Sequence, residues 1–211
     1  MKSSALLAVP LLVVAACASP SRGKPGDVLT HATNPETRRQ AALALGEKGA
    51  MRDAPVLVRA LRDPDPLVRA IAETSLWQVW TRSGDKETDR ALTEGVALLE
   101  RQQFGQAIEV FTLVIERRPD FAEGWNKRAT AYYLLGDYRK SLADCDEVIT
   151  RNPYHFGALS GYGMNYLELD EPARALDYFE RALAVNPNLE QVEQAADLLR
   201  HVLRQQRRDA V

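Results

Sequence analysis

The sequence predicts an all-α protein, a solenoid of repeated helical hairpins, and three observations carry that expectation. Side-chain classes recur every 34 residues through the C-terminal half: Pro119, Pro153 and Pro187; Phe111, Cys145 and Phe179; Leu98, Tyr132 and Tyr166; Gly95, Ala129 and Gly163; Ala107, Ser141 and Ala175. A fixed period of this length marks stacked structural repeats. A second, weaker period lies upstream, where Arg38-x-x-Ala41-x-x-x-Leu45 returns 31 residues later as Arg69-x-x-Ala72-x-x-x-Leu76. After Pro187, Val192, Ala195, Ala196, Leu199, Val202 and Leu203 share one face at helical spacing. That is the half-polar helix an open-ended solenoid needs as a cap.

Composition sets the outer bounds. The chain has 211 residues, 45% hydrophobic and 27% charged, with Lys+Arg 27 against Asp+Glu 29. One or two ordinary domains fit that length. A net charge of −2 lacks the basic excess of a nucleic-acid binder. Two cysteines cannot build a disulfide scaffold, and three dispersed histidines leave little for a metal site.

Taken from the N-terminus, residues 1–16 combine Lys2 with an apolar run from Ala5 to Ala16. That run is too short to cross a bilayer, which takes about 20 residues, and reads as a secretory signal peptide. Its end, Val14-Ala15-Ala16-Cys17, resembles the bacterial lipobox. The resemblance implies cleavage before Cys17 and lipid on its sulfur and new amino terminus, enough chains for stable anchoring. Ala16-Cys17-Ala18 also fits an A-x-A site, which would give a soluble exported protein instead. Cleavage after Ala16 leaves 195 residues with a net charge of −3. Residues 17–33, rich in Pro, Gly and Ser, are expected to form a flexible tether.

Helices are expected at 36–47, 54–62 and 65–80. The Arg38/Arg69 period, with Ala44-Leu45-Gly46 and Ala54-Pro55-Val56-Leu57-Val58, resembles HEAT-like repeats of helical solenoids, about one and a half of them across 34–80. So short a fragment cannot bury its apolar face alone, and Trp77 and Trp80 are expected to dock it onto the first downstream unit. A polar linker, 81–87, separates the two.

Downstream helices are expected at 88–101, 104–118, 122–135, 138–151, 156–169, 172–185 and 189–206. Small residues would mark close helix crossings, large apolar residues would fill the spaces between units, and each proline would end a second helix. These features resemble the tetratricopeptide repeat, with its W-x2-L-G-x2-Y, Y-x2-A-x3-F and A-x4-P stretches. Trp125, Tyr132, Phe104, Tyr138, Phe111, Phe179 and the three prolines match that pattern. Glu94 and Arg128 depart from it at the usual Leu, Ser141 at Ala, Cys145 at Phe and Pro172 at Tyr. The resemblance implies a right-handed solenoid of three units, 88–121, 122–155 and 156–187, followed by a capping helix and tail over 188–211.

Catalytic chemistry finds little support. Ser83-Gly84-Asp85-Lys86 has an S-x-x-K spacing but no S-D-N or K-T-G partner. Cys145 occupies a core position, where burial makes a thiol inert. Asp63 with Asp65 and Asp144 with Asp146 lack further ligands, and His31, His155 and His201 lie in separate segments. Arg204, Arg207 and Arg208 suit the negative end of a helix dipole. No cofactor is expected.

In the tetratricopeptide family the first helix of each unit lines a concave peptide-binding face. The positions implied here are Asp89, Leu92, Val96 and Leu99; Glu123, Asn126, Lys127, Thr130 and Tyr133; and Gly157, Ser160, Met164 and Leu167. Family members that clamp a terminal carboxylate use several Lys, Arg and Asn residues, and only Asn126 and Lys127 could serve so here. The expected function is a non-enzymatic adaptor or scaffold of the bacterial cell envelope, gripping a protein or peptide partner while lipidated Cys17 holds a membrane. The lack of Asp at position 18 favours the outer membrane, by analogy with enterobacterial sorting. The alternatives are self-association of a soluble exported chain, or a serine or thiol enzyme; no nucleic acid or small-molecule substrate is expected.

Overall fold

The computed structural model describes residues 23–209; Cys17 and the signal-like segment lie outside them. Among the described residues there are eleven α-helices, one short 3-10 turn and no strand. The first helix, α1 (Pro25–His31), corrects the expectation of a tether through residue 33. Pro25 at its first turn is preset for a helix, and Leu29 is buried in the core that α1 shares with the next helices. Gly and Pro density suggested a linker because a seven-residue helix holds too few apolar residues to show a period.

The upstream segment continues with α2 (Pro35–Lys48), a 3-10 turn (Met51–Asp53), α3 (Ala54–Ala60) and α4 (Pro66–Trp80). Asn34 caps α2 and Asp65 caps α4, each accepting a backbone N–H, and each is followed by Pro at the first helical position. The recurrent residues face inward: Ala41, Leu45, Ala72 and Leu76 are buried with Leu57, Leu61 and Val68. Arg38 and Arg39 at the start of the repeat pair with Asp63 at 2.7 Å and Asp65 at 2.6 Å. Those ion pairs fix the α3–α4 turn against α2.

The hairpins of the C-terminal part are α5 (Lys86–Glu100) with α6 (Phe104–Arg117), α7 (Ala122–Leu135) with α8 (Tyr138–Arg151), and α9 (Phe156–Glu168) with α10 (Pro172–Val185). The cap α11 (Glu190–Asp209) follows, packed on α10 through Ala196 and Leu199. Helix α5 starts two residues earlier than expected because the Asp85 carboxylate accepts the Thr88 N–H at 2.8 Å. Side-chain size explains the small positions. A Cβ on Gly95 would overlap the Phe111 ring, and one on Gly163 would overlap the Phe179 ring. In the middle unit, where Cys145 replaces the ring, Ala129 is accommodated. The turns inside each hairpin also keep the period: Gln102, Gly136 and Asp170 have φ of 59°, 85° and 57°.

The upstream segment does not stack on α5 as a further layer. It folds back along the edge formed by the inter-unit turns. Trp77 and Trp80 pack against His155 and Phe156, with Trp80 stacked on the His155 ring at 4.6 Å and Trp77 edge-on to Phe156 at 5.3 Å. They dock on the turn between the second and third units, not on the first unit. Trp77 comes close to α9 because Gly157 has no side chain; a Cβ there would lie 2.6 Å from the indole. Farther along the edge, Asn188 Nδ2 donates to Leu61 O at 2.8 Å, Arg69 Nε to Asn188 Oδ1 at 3.0 Å, and Asn186 Nδ2 to Glu73 Oε2 at 3.1 Å. Arg62 donates to the carbonyls of Ala184 and Val185 at the end of α10. At the near end, Arg118 Nη1 donates to Ser83 O at 2.9 Å.

Candidate functional site

Folding back gives the concave face a second wall. Between the ends of α2 and α4 and the starts of α5 and α7 lies an open cleft of about 730 Å³. Glu47, Gln78 and Arg82 line it from the upstream segment; Leu92, Val96 and Lys127 line it from the repeats. Arg82 is held in place by donating to the carbonyls of Gly46 and Gly49 at 2.6 and 2.8 Å. Asp89, also on the cleft, accepts the Ser83 N–H at 2.8 Å.

The floor beneath Lys127 is a buried polar cluster. Glu123, which the family pattern places in the groove, is fully buried and turned inward. The Ala158 N–H donates to His155 Nδ1 at 3.1 Å, so Nε2 carries the proton and donates to Glu123 Oε2 at 2.9 Å. Lys127 Nζ lies 3.1 Å from Glu123 Oε1, and Asn126 Nδ2 donates to Oε2 at 3.2 Å. Burial pushes the Glu123 carboxyl up, but the His155 hydrogen bond, aided by Lys127, outweighs it and holds the group below its ordinary value. The cluster ties α7 to α9 under the Trp77–Trp80 contact. Asn126 and Lys127 are therefore engaged within the chain.

A second, smaller cavity of about 170 Å³ opens between α7 and α9, lined by Asn126, Thr130, Tyr133 and Met164 among others. The Thr130 hydroxyl donates to Asn126 O at 3.0 Å, and the Tyr133 hydroxyl points to Glu168 Oε1 at 3.4 Å. Ser160 lies on neither cavity; its hydroxyl donates to Phe156 O at 2.8 Å. The expected groove residues thus divide into Asp89, Leu92, Val96 and Lys127 in the cleft and Asn126, Thr130, Tyr133, Gly157 and Met164 in the cavity, while Leu99, Glu123, Ser160 and Leu167 line neither. Glu47, Gln78 and Arg82 were not expected, since nothing in a repeat pattern says that an upstream segment turns back.

The residues considered for catalysis have local explanations. The Ser83 hydroxyl donates to Asp85 O and accepts the Asp85 N–H, closing the turn before α5. Burial pushes the Cys145 thiol up to about 12, so it stays protonated at neutral pH. Asp63 and Asp65 serve Arg38 and Arg39, and Asp144 serves Arg128 at 2.8 Å. Among the described residues no cluster of three or more His, Cys, Asp or Glu could hold a metal.

Fold and clefts together define a helical-repeat scaffold with a solvent-open concave face, and comparison with known proteins specifies its repeats. Residues 122–155 and 156–189 match the tetratricopeptide repeat, and residues 26–112 match HEAT repeats. The HEAT match runs through α5 into α6, the stretch that the 34-residue period assigns to the first tetratricopeptide unit. A tetratricopeptide repeat-containing protein of Rhizobium etli is 32% identical over 126 residues, 60% of this chain and 61% of that one. Anaphase-promoting complex subunit 7 of Dictyostelium discoideum is 33% identical over 99 residues, 46% of this chain and 17% of its own length. The chain thus spans less than two thirds of these relatives. Among solved structures, the Sgt2 tetratricopeptide domain of Aspergillus fumigatus superposes with a TM-score of 0.56 at 20% identity, covering 60% of this chain and 85% of that one. The first such domain of Spaghetti (RPAP3), bound to the HSP90 peptide SRMEEVD, gives 0.54 at 20% identity over 56% and 94%.

Proposed function

We propose that this chain is an exported, non-enzymatic adaptor that holds a partner protein or peptide in the cleft between its HEAT and tetratricopeptide segments. The observation that carries the reading is that cleft. It joins apolar contact area at Leu92 and Val96 to charged groups of both signs at Glu47, Arg82, Asp89 and Lys127. Such a surface gives a partner both buried area and charge complementarity. Related folds binding HSP90 and HSP70 peptides support a peptide ligand in general terms. Among the described residues the cleft offers no cluster of free cations such as a terminal-carboxylate clamp needs, since Lys127 is engaged by Glu123 and Arg82 by the carbonyls of Gly46 and Gly49.

The signal-like residues 1–16 and Cys17 support a periplasm-facing lipoprotein of the outer membrane. The lipid would fix the adaptor to the membrane and raise the local concentration of whatever it grips. Two measurements test the two halves separately. Radiolabelled palmitate should enter the wild type and not Cys17→Ser; label in neither overturns the anchor. Crosslinked capture from envelopes should enrich a partner with wild type and lose it with Gln78→Trp/Thr93→Trp, which fills the cleft from two exposed positions. Enrichment that ignores the paired substitution removes the cleft from the proposal.

A further inference from the structure

The upstream segment carries a concavity of its own, of about 650 Å³, between α1, the end of α2, the 3-10 turn and α3. Lys24, Lys48, Arg52 and Arg59 line it, and all four are exposed. Among the described residues none of the four is in an ion pair, whereas Arg38 and Arg39 on the same segment are both paired. Two carboxylates, Asp27 and Asp53, also line it, and Asp53 Oδ2 accepts the Ala50 N–H at 2.8 Å. The lining is therefore positive by two charges on a body that is acidic. Residues 23–209 hold 25 Lys and Arg against 29 Asp and Glu, a net charge of −4. Unpaired cations gathered in one hollow concentrate anions there, and their ammonium and guanidinium donors match phosphate oxygens.

Position selects the anion. The chain from Cys17 to Lys24 spans at most about 25 Å, whatever path it takes. A compact chain of this length is roughly 40 Å across. With a lipid on Cys17, the concavity is the charged surface that the tether holds nearest the membrane. Surface cations act on a bilayer within a Debye length, about 8–10 Å. Each Lys or Arg that close to anionic headgroups raises binding about fivefold. The concavity also borders the cleft. Glu47 lines the cleft and Lys48 the concavity, and Gly49, on the concavity, accepts at its carbonyl from Arg82 of the cleft at 2.8 Å. A bilayer seated on the concavity therefore holds the cleft beside the membrane surface.

We propose that this concavity seats on anionic phospholipid headgroups, whose phosphates pair with Lys48, Arg52 and Arg59, and so fixes how the anchored adaptor stands on its membrane. The proposal rests on the reading of Cys17 as a lipid anchor, but its test uses the unlipidated chain. Residues 17–211 with Cys17→Ser are cosedimented with vesicles of phosphatidylglycerol or of phosphatidylcholine. Binding to phosphatidylglycerol should be at least tenfold the stronger, and should weaken as salt is raised. Lys48→Gln/Arg52→Gln/Arg59→Gln, all at exposed positions, should reduce it at least tenfold. Arg204→Gln/Arg207→Gln/Arg208→Gln removes the same charge from the exposed end of α11 and should change it less than twofold. Asp27→Asn, which removes an opposing charge from the lining, should strengthen it severalfold. Equal binding to the two lipids, or equal loss in the two triple variants, overturns the surface. So does displacement by glycerol 3-phosphate at the concentration of the headgroups, which would make the hollow a site for a soluble phosphate ester. Capture of an envelope protein that the first triple variant loses, with vesicle binding unchanged, would give the surface to a protein partner instead. Palmitate label on Cys17 without lipid selectivity would remove the surface and leave the anchor; selectivity without label would remove the anchor and leave the surface.

Discussion

Gly163 and Phe179 show how strictly a single pair sets the helix crossing in this molecule. Phe179 fills the gap left by the missing Cβ, so an added methyl must push the ring or the helix aside. Gly163→Ala should cost about 1–3 kcal/mol, the range for overpacking a filled core, read as a lower urea midpoint. Phe179→Cys alone leaves a void and also destabilises. Because Ala129 coexists with Cys145 in the middle unit, the two changes together should cost less than their sum. Strict additivity would show that the ring and the glycine are not coupled. The turn position behaves differently. Gln102 has φ of 59°, which strains a side chain bearing a Cβ by about 1–2 kcal/mol, whereas Gly pays about 0.5–1 kcal/mol in chain entropy. The strain term is the larger, so Gln102→Gly should stabilise by up to about 1 kcal/mol. Asp170, of a type that tolerates the left-handed region better, should gain less. Calorimetric midpoints that fall in both variants would refute the assignment.

At the scale of elements, the caps and ion pairs do work that hydrophobic period does not predict. Asp65 both caps α4 and pairs with Arg39, and the Arg39 hydrogen bond is the main reason its carboxyl drops from 3.8 to about 2. A carboxyl depressed by folding contributes stability above its unfolded value, and that contribution disappears as pH falls through the folded value. Asp65→Asn should therefore lower the melting temperature at pH 6, and the two proteins should converge as pH falls from about 4 to about 2. A constant gap across that range would mean that the ion pair adds nothing to the cap. Elements were legible to different depths. The 34-residue spacing placed α6 to α10 within a residue or two, because each hairpin repeats the same packing problem. Helix α1 was hidden by its Pro and Gly, which begin a helix as readily as they punctuate a loop. In the site, Leu92, Val96, Thr130 and Met164 are positions that the repeat pattern names and that line the cleft or the cavity. The inward turn of Glu123 was not legible in the sequence, because it depends on His155, a residue 32 positions away at the N-cap of α9.

For the whole molecule, the decisive feature is the seam along the inter-unit turns. It is made by a few large or long side chains, Trp77, Trp80, Arg62 and Arg69, against His155, Phe156 and the turn after α10. Phe156 belongs to the same buried cluster as Leu45, Leu57 and Leu76, so the core of the upstream segment is continuous with the repeats. A one-and-a-half-repeat fragment gains its missing neighbour in this way, and the cleft exists only while the seam is closed. A wedge at the seam should therefore loosen the upstream helices without disturbing the repeats. Gly157→Val places its side chain against Trp77 while leaving every core residue of the upstream segment unchanged. In hydrogen exchange, wild-type α2 and α4 should open with the same free energy as α7 and α9, as one cooperative unit. In the variant, α2 and α4 should exchange at least tenfold faster, with α10 and α11 unaltered. Partner capture should fall in parallel, because Gln78 and Arg82 leave the cleft with α4. Equal acceleration in all helices would mean that Gly157 serves α9 alone. Unchanged exchange would mean that the two segments touch without stabilising each other.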